Sequence, residues 1–315
     1  MNPRPSASPR NGAPPSPPAG SGAATPERVL QRLDWHVIRR LDGLLQGDYR
    51  SLFYGYGVDF ADLREYQAED DIRYIDWNVT ARMDAPYVRQ YVEDREVTAW
   101  FLLDLSPSVD FGGAAGQKRT VLVDFVATVA RLLTRHGNRV GAIFYGRGVE
   151  RTLPAGTGRR HVLRLIHDLQ RQPQHARAPF TDLSPLLHAG LHAIRKRALV
   201  FIISDFICAP GWERALTLLS QRHEALAVRL YDPRETELPS AGPIYLEDAE
   251  TGEQIFVDTH DPVFRARFHA AAQQREADLS ALFRRSGVDA LSLSTEEDLV
   301  RAIVRFATLR RRRGK

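Results

Sequence analysis

The chain has 315 residues, a formal net charge of +4 and 43% hydrophobic residues, an ordinary composition for a globular protein. This length allows one large α/β domain and a smaller module. No apolar run approaches the roughly 20 residues that span a bilayer, and the N-terminus lacks the apolar stretch of a signal peptide. Cys208 is the only cysteine, which excludes an internal disulfide. We therefore expect a cytoplasmic protein without membrane insertion.

The distribution of charge argues against nucleic-acid binding. Residues 1–26 contribute +2 and residues 310–315 contribute +5, so the chain between them has a net charge of −3. A phosphate-binding groove needs its basic residues on the folded body. We predict no nucleic-acid partner and interpret residues 310–315 as a solvated basic tail.

The N-terminal part of the chain divides into a tail and a small module. Residues 1–26 are rich in Pro, Ser, Ala and Gly, which predicts disorder. Thr25 and Pro26 have the features of a helix N-cap and a first helical residue, and apolar residues at helical spacing predict a helix to about Leu45. We expect residues 27–95 to form an N-terminal α+β module. It contains a dense run of charged and aromatic residues that we interpret as a structural ion-pair network.

From residue 96 onward, apolar strands alternate with amphipathic helices. Val97–Leu103 and Ala198–Ser204 are continuous apolar strands, and Lys118–Arg135 has its apolar residues on one helical face. Further helices and strands follow, among them a short hairpin over Ile244–Val257. This alternation predicts a mostly parallel sheet covered by helices on both faces, the doubly wound α/β class. We assign residues 96–309 to this domain.

Oxygen-bearing residues follow the two most apolar strands directly, and a threonine precedes the second of them. In a doubly wound sheet the first strands of the two halves are neighbours, so these residues converge on the crevice outside their carboxyl ends. Carboxylates and hydroxyls without nearby His or Cys favour Mg²⁺ or Mn²⁺ over zinc. With so few protein ligands, a coordination position should remain for an acidic residue of a partner. The predicted metal ligands are Asp104, Ser106, Ser108, Thr181 and Asp205.

The pattern at the first strand has a simpler interpretation when it is taken alone. Asp104–Ser108 also fits an Asx-type turn that caps the next helix. Thr181 and Asp205 favour the metal site, because a turn does not require them.

The same five residues resemble, in order, the metal-ion-dependent adhesion site of von Willebrand factor A domains. Other stretches resemble the bacterial family named domain of unknown function 58, over roughly residues 50–310: Leu63–Tyr66, Asp70–Asp71, Arg73, Ile75–Trp77, Ala81–Arg82, Arg95–Glu96, and Tyr231–Glu235 followed by Leu238–Pro239. The resemblance implies a von Willebrand factor A-like, Rossmann-like fold. It also implies a MoxR-type AAA+ ATPase, or the client of that ATPase, as partner in chaperone-like assembly or maturation of other complexes.

The sequence thus predicts a metal-dependent protein-interaction module and not an enzyme. Two alternatives stay open: a Mg²⁺-dependent hydrolase or phosphotransferase that uses Asp104 and Asp205, and a structural module with an unoccupied metal site. The enzyme would need an acid, a base or a phosphate-binding lysine near the metal. The only lysines are Lys118, Lys196 and Lys315. None follows a predicted strand end, so we expect no lysine in the crevice.

Overall fold

The computed structural model describes residues 25–41, 62–67, 70, 72, 75, 77–83, 85–90, 97–113, 116–173 and 180–313. Its helices are α1 (Pro26–Leu33), α2 (Trp77–Met83), α3 (Lys118–Arg135), α4 (Gly158–Gln170), α5 (Ser184–Ala193), α6 (Glu213–Arg222), α7 (Pro262–Arg285) and α8 (Leu299–Arg313). Its strands are β1 (Asp62–Glu65), β2 (Tyr87–Gln90), β3 (Thr98–Asp104), β4 (Gly112–Gly113), β5 (Gly116–Gln117), β6 (Arg139–Tyr145), β7 (Val149–Gly156), β8 (Leu199–Ser204), β9 (Glu224–Tyr231), β10 (Pro243–Glu247), β11 (Gln254–Asp258) and β12 (Asp289–Ser294). Of the described helices, none is both long and apolar enough to cross a membrane.

Several predicted features fall outside the described residues. They include residues 1–24 of the N-terminal tail, residues 42–45 of the first predicted helix and residues 314–315 of the basic tail. The run of charged and aromatic residues in the N-terminal module is described only in part, and there Trp77 is exposed. The boundaries of that module stay a prediction.

A six-stranded sheet lies at the centre of the fold, in the order β12-β9-β8-β3-β6-β7. Neighbouring strands are parallel except β6 and β7, which pair antiparallel. The predicted mostly parallel sheet with intervening helices is therefore confirmed. After β3 the chain adds β6 and β7 on one side, and after β8 it adds β9 and β12 on the other. The strand order consequently reverses between β3 and β8.

Buried side chains form two clusters, one on each face of the sheet. In β3, Phe101 and Leu103 belong to one cluster, whereas Trp100 and Leu102 belong to the other. Successive side chains of a strand point to opposite faces, which places the two clusters on opposite sides. Helices α1, α3, α4 and α8 contribute to the first cluster, and α5, α6 and α7 to the second. Helices thus cover both faces, as the apolar strands predict.

The first helix begins where the sequence predicts. The Thr25 hydroxyl accepts a hydrogen bond from the amide of Arg28 at 3.4 Å, and Pro26 is the first helical residue. The helix continues as a π-helical segment, Asp34–Ile38. Leu30 lies in the same buried cluster as α3 and the sheet. The described beginning of the N-terminal module therefore packs directly on the α/β domain.

Candidate metal centre

The carboxyl ends of β3 and β8 meet at the edge of the sheet where the strand order reverses. Leu103 pairs with Ile203 at the last parallel register position, so Asp104 and Asp205 both follow it at the same edge of the sheet, where the charge of Asp205 acts on Asp104. Both aspartates are almost fully buried, with 0% and 2% exposure. Ser106, Ser108 and Thr181, the other predicted ligands, are buried as well.

The loop after β3 turns so that its polar side chains stay inside. Asp104 Oδ1 accepts a hydrogen bond from the Ser106 amide at 3.0 Å, and Asp104 Oδ2 accepts one from the Ser204 hydroxyl at 2.6 Å. Pro107 then begins a short 3₁₀ helix, Pro107–Asp110. The Asx-type turn of the simpler interpretation is therefore present, although the N-cap side chain of the 3₁₀ helix, Ser106, makes no capping hydrogen bond. It holds the Ser106 and Ser108 hydroxyls 3.1 Å apart within the crevice.

Thr181 reaches the same crevice from the segment before α5. Its carbonyl oxygen accepts a hydrogen bond from the Ala209 amide at 2.8 Å, which ties this segment to the loop after β8. Its amide donates to Glu250 Oε2 at 2.5 Å, and its hydroxyl donates to Glu250 Oε1. Glu250 comes from the turn between β10 and β11 and was not among the predicted ligands. The structure therefore places all five predicted residues around one crevice and adds a carboxylate to them.

The expectation that no lysine lies in the crevice is wrong. Lys118 Nζ donates to Asp205 Oδ2 at 2.7 Å and to Glu235 Oε1 at 2.6 Å, and its side chain is completely buried. Lys118 begins α3 directly after β5, a two-residue strand too short for a pattern in the sequence to indicate. This contact is relevant to the enzyme alternative, because a phosphate-binding lysine near the metal is one of the groups that such an enzyme would need.

Glu235 is held against Lys118 by the turn that follows β9. Asp232 caps this turn, since its Oδ1 accepts a hydrogen bond from the Arg234 amide at 3.0 Å. The Thr295 hydroxyl donates to Asp232 Oδ2 at 2.9 Å. Hydrogen bonds from the Arg234 side chain are the main cause that lowers the pKa of Asp232 to about 2. The Tyr231–Glu235 stretch, noted in the sequence for its family resemblance, thus positions a partner of the buried ammonium.

Negative charge in the crevice is only partly compensated. Burial, and then the negative charge of Asp205, raise the pKa of Asp104 to about 6. Burial also raises the pKa of Glu250, against hydrogen bonds from Thr181. Burial alone would lower the pKa of Lys118, but the charges of Asp205 and Glu235 raise it overall. The ammonium therefore stays charged, and carboxylates outnumber it.

The donor atoms of this crevice fit a hard divalent cation. Hydroxyl and carboxylate oxygens are the ligands that Mg²⁺ prefers, and adjacent ligands of an octahedral Mg²⁺ are separated by about 3 Å. The 3.1 Å between the Ser106 and Ser108 hydroxyls is close to that spacing. Within the described part of the chain, no three His, Cys, Asp or Glu side chains gather as a ligand group. A cation here would depend on hydroxyls and water as well as on Asp104 and Asp205, and it would compete with Lys118 for Asp205.

Sequence reasoning missed four residues of this crevice, and two of them had a signal. Ser204 immediately precedes a predicted ligand, and Glu235 lies in a stretch already singled out for its family resemblance. No signal in the sequence indicated Lys118 or Glu250, because each contacts a residue far away in the chain. Lys118 is 87 residues from Asp205, and Glu250 is 69 residues from Thr181.

Comparisons with known proteins agree on a family. Residues 62–278 match the family described as "Protein of unknown function DUF58". The uncharacterized proteins Rv1480 of Mycobacterium tuberculosis and Mb1516 of Mycobacterium bovis are each 38% identical to this chain over 284 residues, which cover 90% of this chain and 89% of theirs.

Solved structures resemble the chain at low sequence identity. The conserved hypothetical protein BatB from Bacteroides thetaiotaomicron aligns with a TM-score of 0.45 at 14% identity, over 69% of this chain and 99% of BatB. An aerotolerance-related membrane protein from Bacteroides fragilis aligns with a TM-score of 0.45 at 12% identity, over 68% of this chain and 99% of that protein. The family assignment rests on the sequence matches, and by their extent the chain belongs to the DUF58 family.

Proposed function

We propose that this chain is a metal-dependent protein-interaction module that binds Mg²⁺ or Mn²⁺ through Asp104, Ser106, Ser108, Thr181 and Asp205. The observation that carries the proposal is the burial of these five residues, from three separate segments, around one crevice at the sheet edge. Burying so many polar groups is costly unless they have partners. Each of the five has a protein partner in the crevice, so what a divalent cation would add is positive charge against the excess of carboxylates.

The same site gives the module a way to recognise a partner. A hard cation held by two protein carboxylates and neutral hydroxyls attracts a further carboxylate. We therefore propose that an acidic residue of the partner binds there, in the manner of a von Willebrand factor A-like adhesion site. The resemblance to the family supports a MoxR-type AAA+ ATPase, or the client of that ATPase, as the partner. On this proposal the chain serves chaperone-like assembly or maturation of a partner complex.

Calorimetric titration with Mg²⁺ and Mn²⁺ tests the metal site. We expect Asp104→Ala to weaken binding at least about tenfold, because it removes one of the two charged ligands. Asp110→Ala is the matched control: Asp110 ends the same loop but pairs with Arg119 at 3.1 Å. Equal affinity of wild type and Asp104→Ala, with both folded, would contradict the assignment.

The Lys118 contact is the one observation that favours the enzyme alternative. A lysine beside a metal can bind phosphate or serve as a base. Here, however, the ammonium is already neutralised by Asp205 and Glu235, and its raised pKa keeps it protonated. Burial and nearby carboxylates also raise the pKa of the Cys208 thiol, which disfavours a thiolate nucleophile.

We accordingly expect no hydrolytic turnover that depends on this crevice. Nucleotides, phosphoesters and peptides should be cleaved by wild type and by Asp205→Ala at the same background rate. Turnover that disappears in Asp205→Ala, while the variant stays folded, would favour the hydrolase or phosphotransferase instead.

Lys118 also bears on the structural alternative. If the Lys118 ammonium stays paired with Asp205, it could take the place of a metal ion, and the crevice would then hold no metal. This alternative and the metal site make opposite predictions for a Lys118 substitution.

A further inference from the structure

The turn between β10 and β11 enters the candidate metal centre through one side chain. Of residues 243–258, all of which the structure describes, Glu250 is the one that is buried, with 6% exposure. The aromatic side chains of this hairpin are exposed instead, Tyr245 by 70% and Phe256 by 62%, while Ile244 and Leu246 are half-buried. A carboxylate, rather than an apolar side chain, is therefore the most buried side chain of the hairpin. This is the reverse of the usual preference for burial.

Glu250 is bound by the hydroxyls of the predicted ligand set. Its two carboxylate oxygens accept hydrogen bonds from the Thr181 amide and the Thr181 hydroxyl. A hydrogen bond from the Ser108 side chain also acts on it, and the charge of Asp205 is close enough to affect its pKa. The Glu250 carboxylate thus lies where an acidic residue of a partner would meet the site.

Hydrogen bonds within the hairpin fix the conformation of its tip and of its base. At the tip, Asp248 Oδ1 accepts hydrogen bonds from the amides of Glu250 at 3.0 Å and Thr251 at 2.7 Å, which fixes the turn that presents Glu250. At the base, the Thr259 hydroxyl donates to the Gly242 carbonyl oxygen at 2.7 Å. Apart from their pairing with each other, β10 and β11 have no other described helix or strand packed extensively on them. Loss of the Glu250 contact would therefore free the tip while the base stays attached.

We propose that Glu250 is an internal acidic ligand of the metal centre, so that a partner's carboxylate must displace the β10–β11 hairpin in order to bind. This inference rests on the proposed function, because the exchange of one carboxylate for another requires the cation. Glu250 lies beside Asp205, and two buried carboxylates repel each other unless positive charge lies between them. A bound divalent cation would therefore strengthen the attachment of the hairpin through Glu250. The carboxylate of a partner would compete with Glu250 for the same coordination position.

The test uses the full chain and Mn²⁺ alone as the probe. Water-proton relaxation reports how many exchangeable waters remain on the bound ion. We expect Glu250→Gln to raise the relaxation per bound Mn²⁺ by about 1.5-fold, since a water takes the position that the carboxylate leaves and such ions already retain several waters. Hydrogen exchange at the Thr181 amide should become about tenfold faster, because its acceptor is weakened and the tip opens locally. The control is Glu253→Gln, an exposed glutamate of the same turn.

A second variant, Glu250→Asp, tests the length of the side chain separately from its charge. It also replaces Glu250→Gln in the test if that variant does not fold. It keeps the carboxylate but shortens the side chain by one methylene, so we expect it to change relaxation and exchange as Glu250→Gln does. Unchanged relaxation and exchange in both variants, with Mn²⁺ binding still lost in Asp104→Ala, would overturn this inference and leave the proposed function standing. Failure of wild type to bind Mn²⁺ would overturn both.

Discussion

The Lys118 ammonium is buried between two carboxylates, and its removal would leave Asp205 and Glu235 without this partner. Breaking a buried ion pair from one side typically costs about 3 kcal/mol or more, because the remaining charge stays desolvated. A divalent cation in the crevice would supply the missing positive charge to Asp205. The ammonium and the cation therefore act on the same carboxylate, and each should weaken the binding of the other.

We accordingly expect Lys118→Met to lower the free energy of unfolding by about 3 kcal/mol without divalent metal. Mg²⁺ should restore a large part of this loss, because ligand binding stabilises the folded state in proportion to RT ln(1 + [L]/Kd) and the variant should bind more tightly. Thermal unfolding with Mg²⁺ and with EDTA measures both effects. Lys196→Met, at an exposed lysine, is the control.

The opposite outcome has a clear meaning. If Mg²⁺ shifts the unfolding temperature of Lys118→Met no further than that of wild type, the cation and Lys118 do not share Asp205. If Lys118→Met is destabilised and no divalent ion stabilises it again, the structural module is favoured. In that module Lys118 itself supplies the positive charge.

Some residues of the candidate site could be predicted from the sequence, and others could not. Asp104 and Asp205 were predictable because each follows an apolar strand, and the topology of a doubly wound sheet brings such positions together. Lys118 and Glu250 were not, because their contacts depend on where two short loops fold back against the sheet edge. No periodicity encodes that placement.

At the scale of whole elements, the strands and helices of the α/β domain were predictable nearly to their ends. The helix expected over Lys118–Arg135 has those bounds, and the strand expected over Ala198–Ser204 begins one residue later, at Leu199. The physical reason is that the central strands β3 and β8 are almost entirely apolar and the helix over Lys118–Arg135 buries its apolar residues, so local pattern and tertiary burial agree.

Two short elements bring residues to the candidate site that this kind of pattern does not indicate. The β4–β5 pair has two residues in each strand, yet it leads directly into Lys118. The β10–β11 hairpin was expected from the sequence, but its docking was not, because its exposed aromatic residues and buried glutamate reverse the usual pattern of burial. Short connections between regular elements therefore hold the part of the site that only the structure reveals.

Two parts of the chain have the chemistry to contact a partner, and that chemistry differs. One is the crevice at the sheet edge, where the proposed cation would hold a carboxylate. The other is the arginine run at the C-terminus, where residues 310–315 carry a charge of +5. Contacts of exposed charges are screened beyond about 8 Å at physiological ionic strength, whereas a partly buried, directly coordinated charge is screened much less. Salt and chelation should therefore distinguish the two surfaces.

The corresponding prediction concerns capture of a purified MoxR-type AAA+ ATPase by the immobilised chain. We expect capture to require Mg²⁺ or Mn²⁺, to fall at least about tenfold with EDTA or in Ser106→Ala, and to change little between about 0.1 and 0.3 M salt. It should increase in Glu250→Gln, because the internal carboxylate no longer competes. A chain with glutamine at positions 310–313, which keeps helix-forming residues there, should capture as wild type does. Capture that survives EDTA but is lost in the glutamine variant would assign the contact to the arginine run, and the metal centre would then have no part in binding this partner.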